Sequence, residues 1–356
     1  MKKWILDLQL FAEAGTLVNA TGNYINAYTG DVTAFSGTDT LTPTMKTFYD
    51  TELLDNHRDQ LIFAQLGRTQ SLPANHGMTV EWRKWNTLPL LDALTEGVIP
   101  TGKKLGMTSI NVTLAQYGEY VAVTDKLDLH ALDDVILGAE EELGAASGKT
   151  ADLLVRNVLI TGTNILFADA YNGDTYVSTP ASEAALQTAL GSYKANLTPD
   201  MINKAVTNLK VGGAPTFSGN KYVAVIHPHV AYDLRSHKDW IDAHKYSATT
   251  QIFNGEIGEL HGVRFVESNL APIIKIAGQT YATYKTMFFG KDAFGVVDPE
   301  GSGMEIIVKS KDQVGGPLNQ FSTIGAKFET AAKILYQERM VAVWSGSYYS
   351  STDSAN

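Results

Sequence analysis

His227, His229, His237, His244 and His261 place five of the chain's eight histidines within 35 residues. His227-Pro-His229, with Asp233 or Asp242, has the donor types of a zinc site. No helical His-x-x-x-His pair supports it, however, and Pro228 marks a strand end entering a helix. Loop and cap histidines fit that context. Gly144-Ala-Ala-Ser-Gly-Lys-Thr150 resembles a phosphate-binding loop, but that loop needs four residues between its glycines so that backbone N–H groups wrap the phosphates. Here there are three, and Leu143 stands where the first glycine belongs. The segment reads as the interior of a helix, with small residues easing its packing. Glu140-Glu141-Glu142 is a solvated helix face rather than a pair of carboxylates opposed across a cleft. No Gly-x-Ser-x-Gly elbow singles out a nucleophile. With no cysteine, thiol catalysis, disulfides and thiolate metal sites all drop out. Neither an enzyme nor a cofactor is expected.

The elements that would hold such residues belong to a chain of 356 residues, room for roughly two domains at about 150 residues each. Its 44% hydrophobic content is that of a folded globular chain. The formal charge of -10 argues against a nucleic-acid-binding surface over the whole chain. Arg83, Lys84, Lys103 and Lys104 leave room for a local basic patch. No run of 18 apolar residues exists to span a membrane. Lys2, Lys3 and Ala12-Glu-Ala14 imitate a signal peptide, but the apolar core is short and Asp7 interrupts it. An amphipathic arm is expected instead.

The most unusual stretch lies between two strands. Met78 to Trp85 alternates as a half-buried strand does, and a second strand is expected from Ser109 through Thr124. Between them, Asn86 to Met107 holds Pro89, Gly97, Pro100, Gly102 and Gly106. It also carries Leu88, Leu90, Leu91, Leu94, Val98 and Ile99. Long loops without their own structure are uncommon and usually functional. These aliphatic side chains need a place to be buried, and another copy of the chain is the simplest. Together with Lys103 and Lys104 they are the candidate inter-subunit contacts.

Glu13 to Thr42 reads as an extended or disordered arm. A helix should start at Thr42 or Thr44, with Pro43 in its first turn, and fade near Gly67. A longer one is expected from Asp128, as cap, to Ile160, with Gly138, Gly144 and Gly148 allowing a bend or close packing. Helices follow at Ser182–Leu190, from Thr198 to Leu209, and at His229–His237. Strands are expected at Lys221–Ile226, Gly262–Glu267, Lys285–Phe289, Phe294–Val297, Met304–Lys309, Phe321–Thr330 and Arg339–Trp344, before a Ser-rich tail.

That order of arm, long hairpin loop, long helix, α/β insertion and returning strands is similar to the HK97-type phage capsid fold. The sequence resembles the N4-gp56 family of major capsid proteins. The carriers are Leu6-Asp-Leu-Gln-Leu-Phe-Ala12, Gly118-Glu-Tyr-Val-Ala-Val-Thr-Asp125, Val225-Ile-His-Pro-His229, Gly258-Glu-Leu-His-Gly-Val-Arg-Phe-Val-Glu267 and Phe289-Gly-Lys-Asp-Ala-Phe294. The resemblance implies an α+β fold with an N-terminal arm (1–41) and an extended loop (78–113) lying over a neighbouring subunit. It implies a peripheral domain (42–77 and 114–197) with a spine helix at 128–160. An inserted α/β axial domain (198–309), a return to the peripheral domain (310–350) and a tail (351–356) complete it. It further implies pentamers and hexamers in the icosahedral shell of a tailed double-stranded DNA phage, assembled in the host cytoplasm. The DNA would be enclosed without sequence-specific binding. Because no large scaffolding segment precedes the arm, a separate scaffolding protein is expected, together with a portal. An isopeptide cross-link at Lys103 or Lys104, as some relatives form, is not expected. The alternatives are an encapsulin-like compartment, which shares the fold but packages an enzyme, a secreted surface-binding protein, and an enzyme built on the α/β insertion.

Overall fold

A computed structural model describes residues 23–25, 32–34, 62–73, 77–91, 93–94, 96–97, 99–130, 135–244, 258–275, 279–299, 304–314 and 319–356. The expected helix start at Thr42 or Thr44 lies outside these. Of the expected arm, Asn23–Ile25 and Val32–Ala34 are described, as an antiparallel pair.

Two sheets organise the described residues. The larger runs in the order Gly258–Leu260, Val263–Glu267, Tyr222–Ile226, Thr283–Phe289, Met340–Ser345, Ile165–Phe167, with Ile273–Ile274 pairing onto Thr283–Phe289. Tyr222–Ile226, Thr283–Phe289 and Met340–Ser345 are buried along their whole length. Both faces are covered, which is why they read as continuous apolar runs rather than alternating ones. One face packs Ile202, Leu209, Val230 and Leu234 of the helices Pro199–Val211 and Pro228–Ser236 against Ala224, Phe288 and Val343. These helices are fixed by local chemistry. Thr198 Oγ1 accepts from Met201 N (3.4 Å), and Pro199 stands in the first turn. Left-handed backbone at His261 (φ 52) and Gly262 (φ 78) forms the tight turn joining Gly258–Leu260 to Val263–Glu267.

The smaller sheet is built around one 14-residue strand, Phe321–Ile334. It pairs antiparallel with Ala115–Thr124, Glu305–Lys309 and Phe294–Pro299, and the last of these runs parallel to Arg68–Leu72. Sheet membership cuts across the divisions expected from chain order. Met340–Ser345 and Ile165–Phe167 belong to the larger sheet, whereas Phe294–Pro299 and Glu305–Lys309 belong to the smaller.

The helix Val135–Ile160 joins the two sheets. Its 26 residues give about 39 Å of rod at 1.5 Å per residue. Leu143 packs on Val123 and Ile324 of the smaller sheet. Val155 and Leu159 reach the core containing Met287 and Phe289 of the larger. Two expectations need correction here. Asp128 does not cap a helix start; it lies inside the helical stretch Asp125–His130 and pairs with Lys311 (3.1 Å). Thr124 Oγ1 accepts from Leu127 N (3.3 Å) at the start of that stretch. Gly138 and Gly144 ease no packing, since a Cβ at either would meet nothing within 4 Å.

Candidate assembly surface

Thr79–Trp85 and Met107–Thr113 form a two-stranded antiparallel hairpin, in register from Thr79 opposite Thr113 to Trp85 opposite Met107. The expected second strand is broken at Leu114. Its side chain is buried and its N–H bonds Met78 O (2.8 Å), after which the chain leaves the hairpin to pair with Phe321–Ile334. Val80 and Leu114 pack on Val297 and Ala331, with Leu72, Trp82 and Val112 beside them. Gly295 makes room for the Trp82 ring: a Cβ there would stand 2.8 Å from Trp82 Cζ2. The base of the hairpin therefore belongs to the core of its own chain.

Its far end does not. Leu90 is 91% exposed, Leu91 89%, Leu94 78% and Ile99 92%, and Leu88 is half-exposed at 47%. Val98 lies outside the described residues. Asn86 N bonds Gly106 O (2.9 Å), and Thr108 Oγ1 donates to Asn86 Oδ1 (2.7 Å), so the neck is closed. Lys103 reaches back across the loop to donate to Leu90 O (2.9 Å), while Lys104 is exposed. Leu105 is also exposed and extends the apolar stretch. Pro89, Pro100 and the glycines at 97, 102 and 106 suit extended backbone without a ladder. The geometry makes an arm with a fixed root and a distal part whose apolar surface finds no partner among the described residues.

The expected basic patch does not form one cluster. Arg83 is paired with Glu81 (3.0 Å), and Lys84 sits over the Tyr336 ring, 4.9 Å from its centroid. Arg339 lies against the same ring at 3.8 Å.

The histidines have structural duties. His227 Nδ1 accepts from His229 N (3.2 Å), capping the helix Pro228–Ser236. Burial first, and then His229, hold its pKa down to about 4. His229 Nδ1 faces Asp353 Oδ2 at 2.7 Å. Asp233 accepts from Asn196 Nδ2 and Tyr348 N. Among the described residues, no group of three His, Cys, Asp or Glu side chains converges as a metal site would require. Gly144 to Thr150 lies inside the helix Val135–Ile160. Ser147 and Thr150 spend their hydroxyls on carbonyls one turn back.

No family model matches the chain, and no curated protein matches it. Solved structures do. The capsid of the cyanophage P-SCSP1u aligns with a TM-score of 0.62 at 15% identity, over 88% of this chain and 96% of its own. The acid-stable capsid of Helicobacter pylori bacteriophage KHP30 gives 0.65 at 9% identity, over 88% and 99%. The capsid of Ralstonia phage GP4 gives 0.58 at 15% identity, over 88% and 98%. The chain has the fold of phage capsid proteins. In each of these structures the match spans nearly the whole partner chain, so the likeness covers the fold as a unit.

One feature of this capsid fold was missed in the sequence. Gly346 to Asn356, read as a Ser-rich tail, is bonded back onto the body at Asp353 and Asn356. Short polar residues carry no periodic signal, so nothing in the pattern announces it.

Proposed function

We propose that the chain is the major capsid protein of a phage, a structural subunit of a closed shell. The observation that carries the proposal is the rooted hairpin whose distal leucines are almost fully exposed, on a chain with the capsid-protein fold. In this reading Met78–Thr113 is an extended loop laid over the neighbouring subunit. The helix Val135–Ile160 is the spine, and the larger sheet with its helices forms the axial unit. Heterologous contacts between identical subunits close into rings, and the rings into a shell. The finer assignment is an HK97-type shell of pentamers and hexamers for a tailed double-stranded DNA phage, near the N4-gp56 family. A separate scaffolding protein and a portal complete it, with assembly in the host cytoplasm. The acidic balance of the chain, at net -10, keeps enclosed DNA from adhering tightly to the wall. Lys103 braces the loop through Leu90 O, a role that requires no covalent cross-link.

Deleting Asn86–Gly106 and closing the hairpin with Asn-Gly tests this reading. The expected product is a folded subunit, by circular dichroism and melting, that no longer sediments as particles. Loss of folding would show that the loop serves its own core and would overturn the reading.

A further inference from the structure

Gly346 to Asn356 forms a strap bonded back onto the body, and its Asn356 side chain sits in a pocket that matches both halves of the carboxamide. Oδ1 accepts from Arg156 Nη1 (3.0 Å) and from Ile273 N (3.0 Å). Nδ2 donates to Ala271 O (3.1 Å) and Asn269 O (3.4 Å). A neutral primary amide offers this combination of acceptor and donors; a carboxylate or an aliphatic group does not. Arg156 Nη2 also bonds the Asn356 carbonyl (3.1 Å), and Arg156 Nη1 bonds Leu270 O (3.1 Å). Arg156 comes from the long helix, while residues 269–273 lie at the margin of the larger sheet. Asn356 therefore ties the helix to that sheet.

One turn before Arg156 on the same helix is Asp152, and both side chains are buried. Asp152 Oδ1 accepts from Ala64 N (2.8 Å), and Oδ2 accepts from Ile62 N (3.2 Å). Those N–H groups begin the short helix Phe63–Leu66, whose Phe63 is buried against Val155, Leu159 and Phe294. Residues 62–66 and the strap are thus held by oppositely charged neighbours on one helical turn.

We infer that this is a coupled clamp: a carboxamide-reading pocket for Asn356 whose occupancy controls how firmly Asp152 holds residues 62–66. The mechanism is competition for hydrogen bonds. With Asn356 docked, the guanidinium spends its donors on the Asn356 oxygens, Leu270 O and Asn157 Oδ1 (3.0 Å from Nη2), leaving the Asp152 carboxylate to the two N–H groups. With residues 346–356 undocked, Nη1 and Nη2 each lose one acceptor and keep one, Leu270 O and Asn157 Oδ1, and the carboxylate acting on Arg156 from one turn away is Asp152. The carboxylate turns toward Arg156 and releases Ile62 and Ala64. Because binding linkage is reciprocal, loosening residues 62–66 must loosen the strap by the same factor.

Hydrogen exchange by mass spectrometry on the full-length chain tests the coupling. Asn356→Ala should speed exchange at residues 350–356 and, at a distance, at residues 62–66, each by roughly tenfold or more. Asp152→Asn, which keeps an acceptor but removes the charge, should speed exchange at 62–66 and also at 350–356. If each variant loosens only its own segment, or neither loosens any, the coupled clamp is wrong. Should Asp152→Asn fail to fold, Asn356→Leu, similar in size and at the edge of the body, carries the same two-segment prediction.

Discussion

His227 lies nearly buried with its ring centroid 4.6 Å from that of His229, and its Nδ1 must stay unprotonated to accept from His229 N. Its folded pKa of about 4 lies below the 6.5 of an unfolded imidazole. The unfolded chain therefore binds a proton between those values that the folded chain refuses, so stability falls as pH drops through that window. The whole effect is about 3 kcal/mol. Replacing His227 with Asn, a good capping residue, should flatten the acid limb of urea midpoints measured from pH 7 to 4. An unchanged limb would place the acid sensitivity elsewhere. Lys285 works at the other end of the scale. Its ammonium lies 3.9 Å from the Trp344 ring centroid and donates to Ile160 O (3.3 Å) at the end of the long helix. Burial lowers its pKa to about 8, with Glu183 opposing. Here too the folded value lies below the unfolded one, so stability should rise with pH between about 8 and 10 as the unfolded chain alone retains the proton. Lys285→Met should abolish that rise in midpoints taken across the same range.

At the scale of elements, the hairpin divides into a root that stabilises the subunit and a distal part that does not. Leu90→Asp with Leu91→Asp should leave the melting temperature of the free subunit unchanged, since surface substitutions usually stay within about 0.5 kcal/mol. The same pair should prevent particle formation, because two carboxylates would have to be buried against the neighbour. Gly295→Val acts on the root instead. Its side chain collides with the Trp82 ring and should lower subunit stability by about 1–3 kcal/mol, read by thermal melting. This division was legible in the sequence because alternation at Met78–Trp85 stops where Pro89, Pro100 and the glycines begin. The strand break at Leu114 was not legible. Leu114 continues the apolar run, and its change of partner is decided by Phe321–Ile334, some two hundred residues later in the sequence. The helical start at Asp125 was missed for a related reason: Thr124 and Asp128 are both good cap types, and geometry rather than residue type decided between them. The carboxamide pocket was invisible because its donors and acceptors are mostly backbone groups of residues 269–273.

For the molecule as a whole, the long helix is the part that both sheets share, with Leu143 serving one and Val155 and Leu159 the other. Chain order suggested an inserted unit ending near Lys309, whereas hydrogen bonding places Met340–Ser345 in the larger sheet, between Thr283–Phe289 and Ile165–Phe167. Parallel and antiparallel pairings of distant strands are the least predictable level, since a strand's pattern shows which faces are buried but not which strand lies beside it. Many of the helices and strands along the chain were readable, and the chain as a whole aligns with phage capsid structures. In the proposed reading, a molecule at net charge -10 whose distal loop meets no apolar partner among the described residues is built to meet copies of itself. Negative-stain electron microscopy of the full-length chain, expressed alone and with a candidate scaffolding protein, tests that claim most directly. Closed shells of uniform size are the predicted result. Only monomers and small oligomers under both conditions would contradict it.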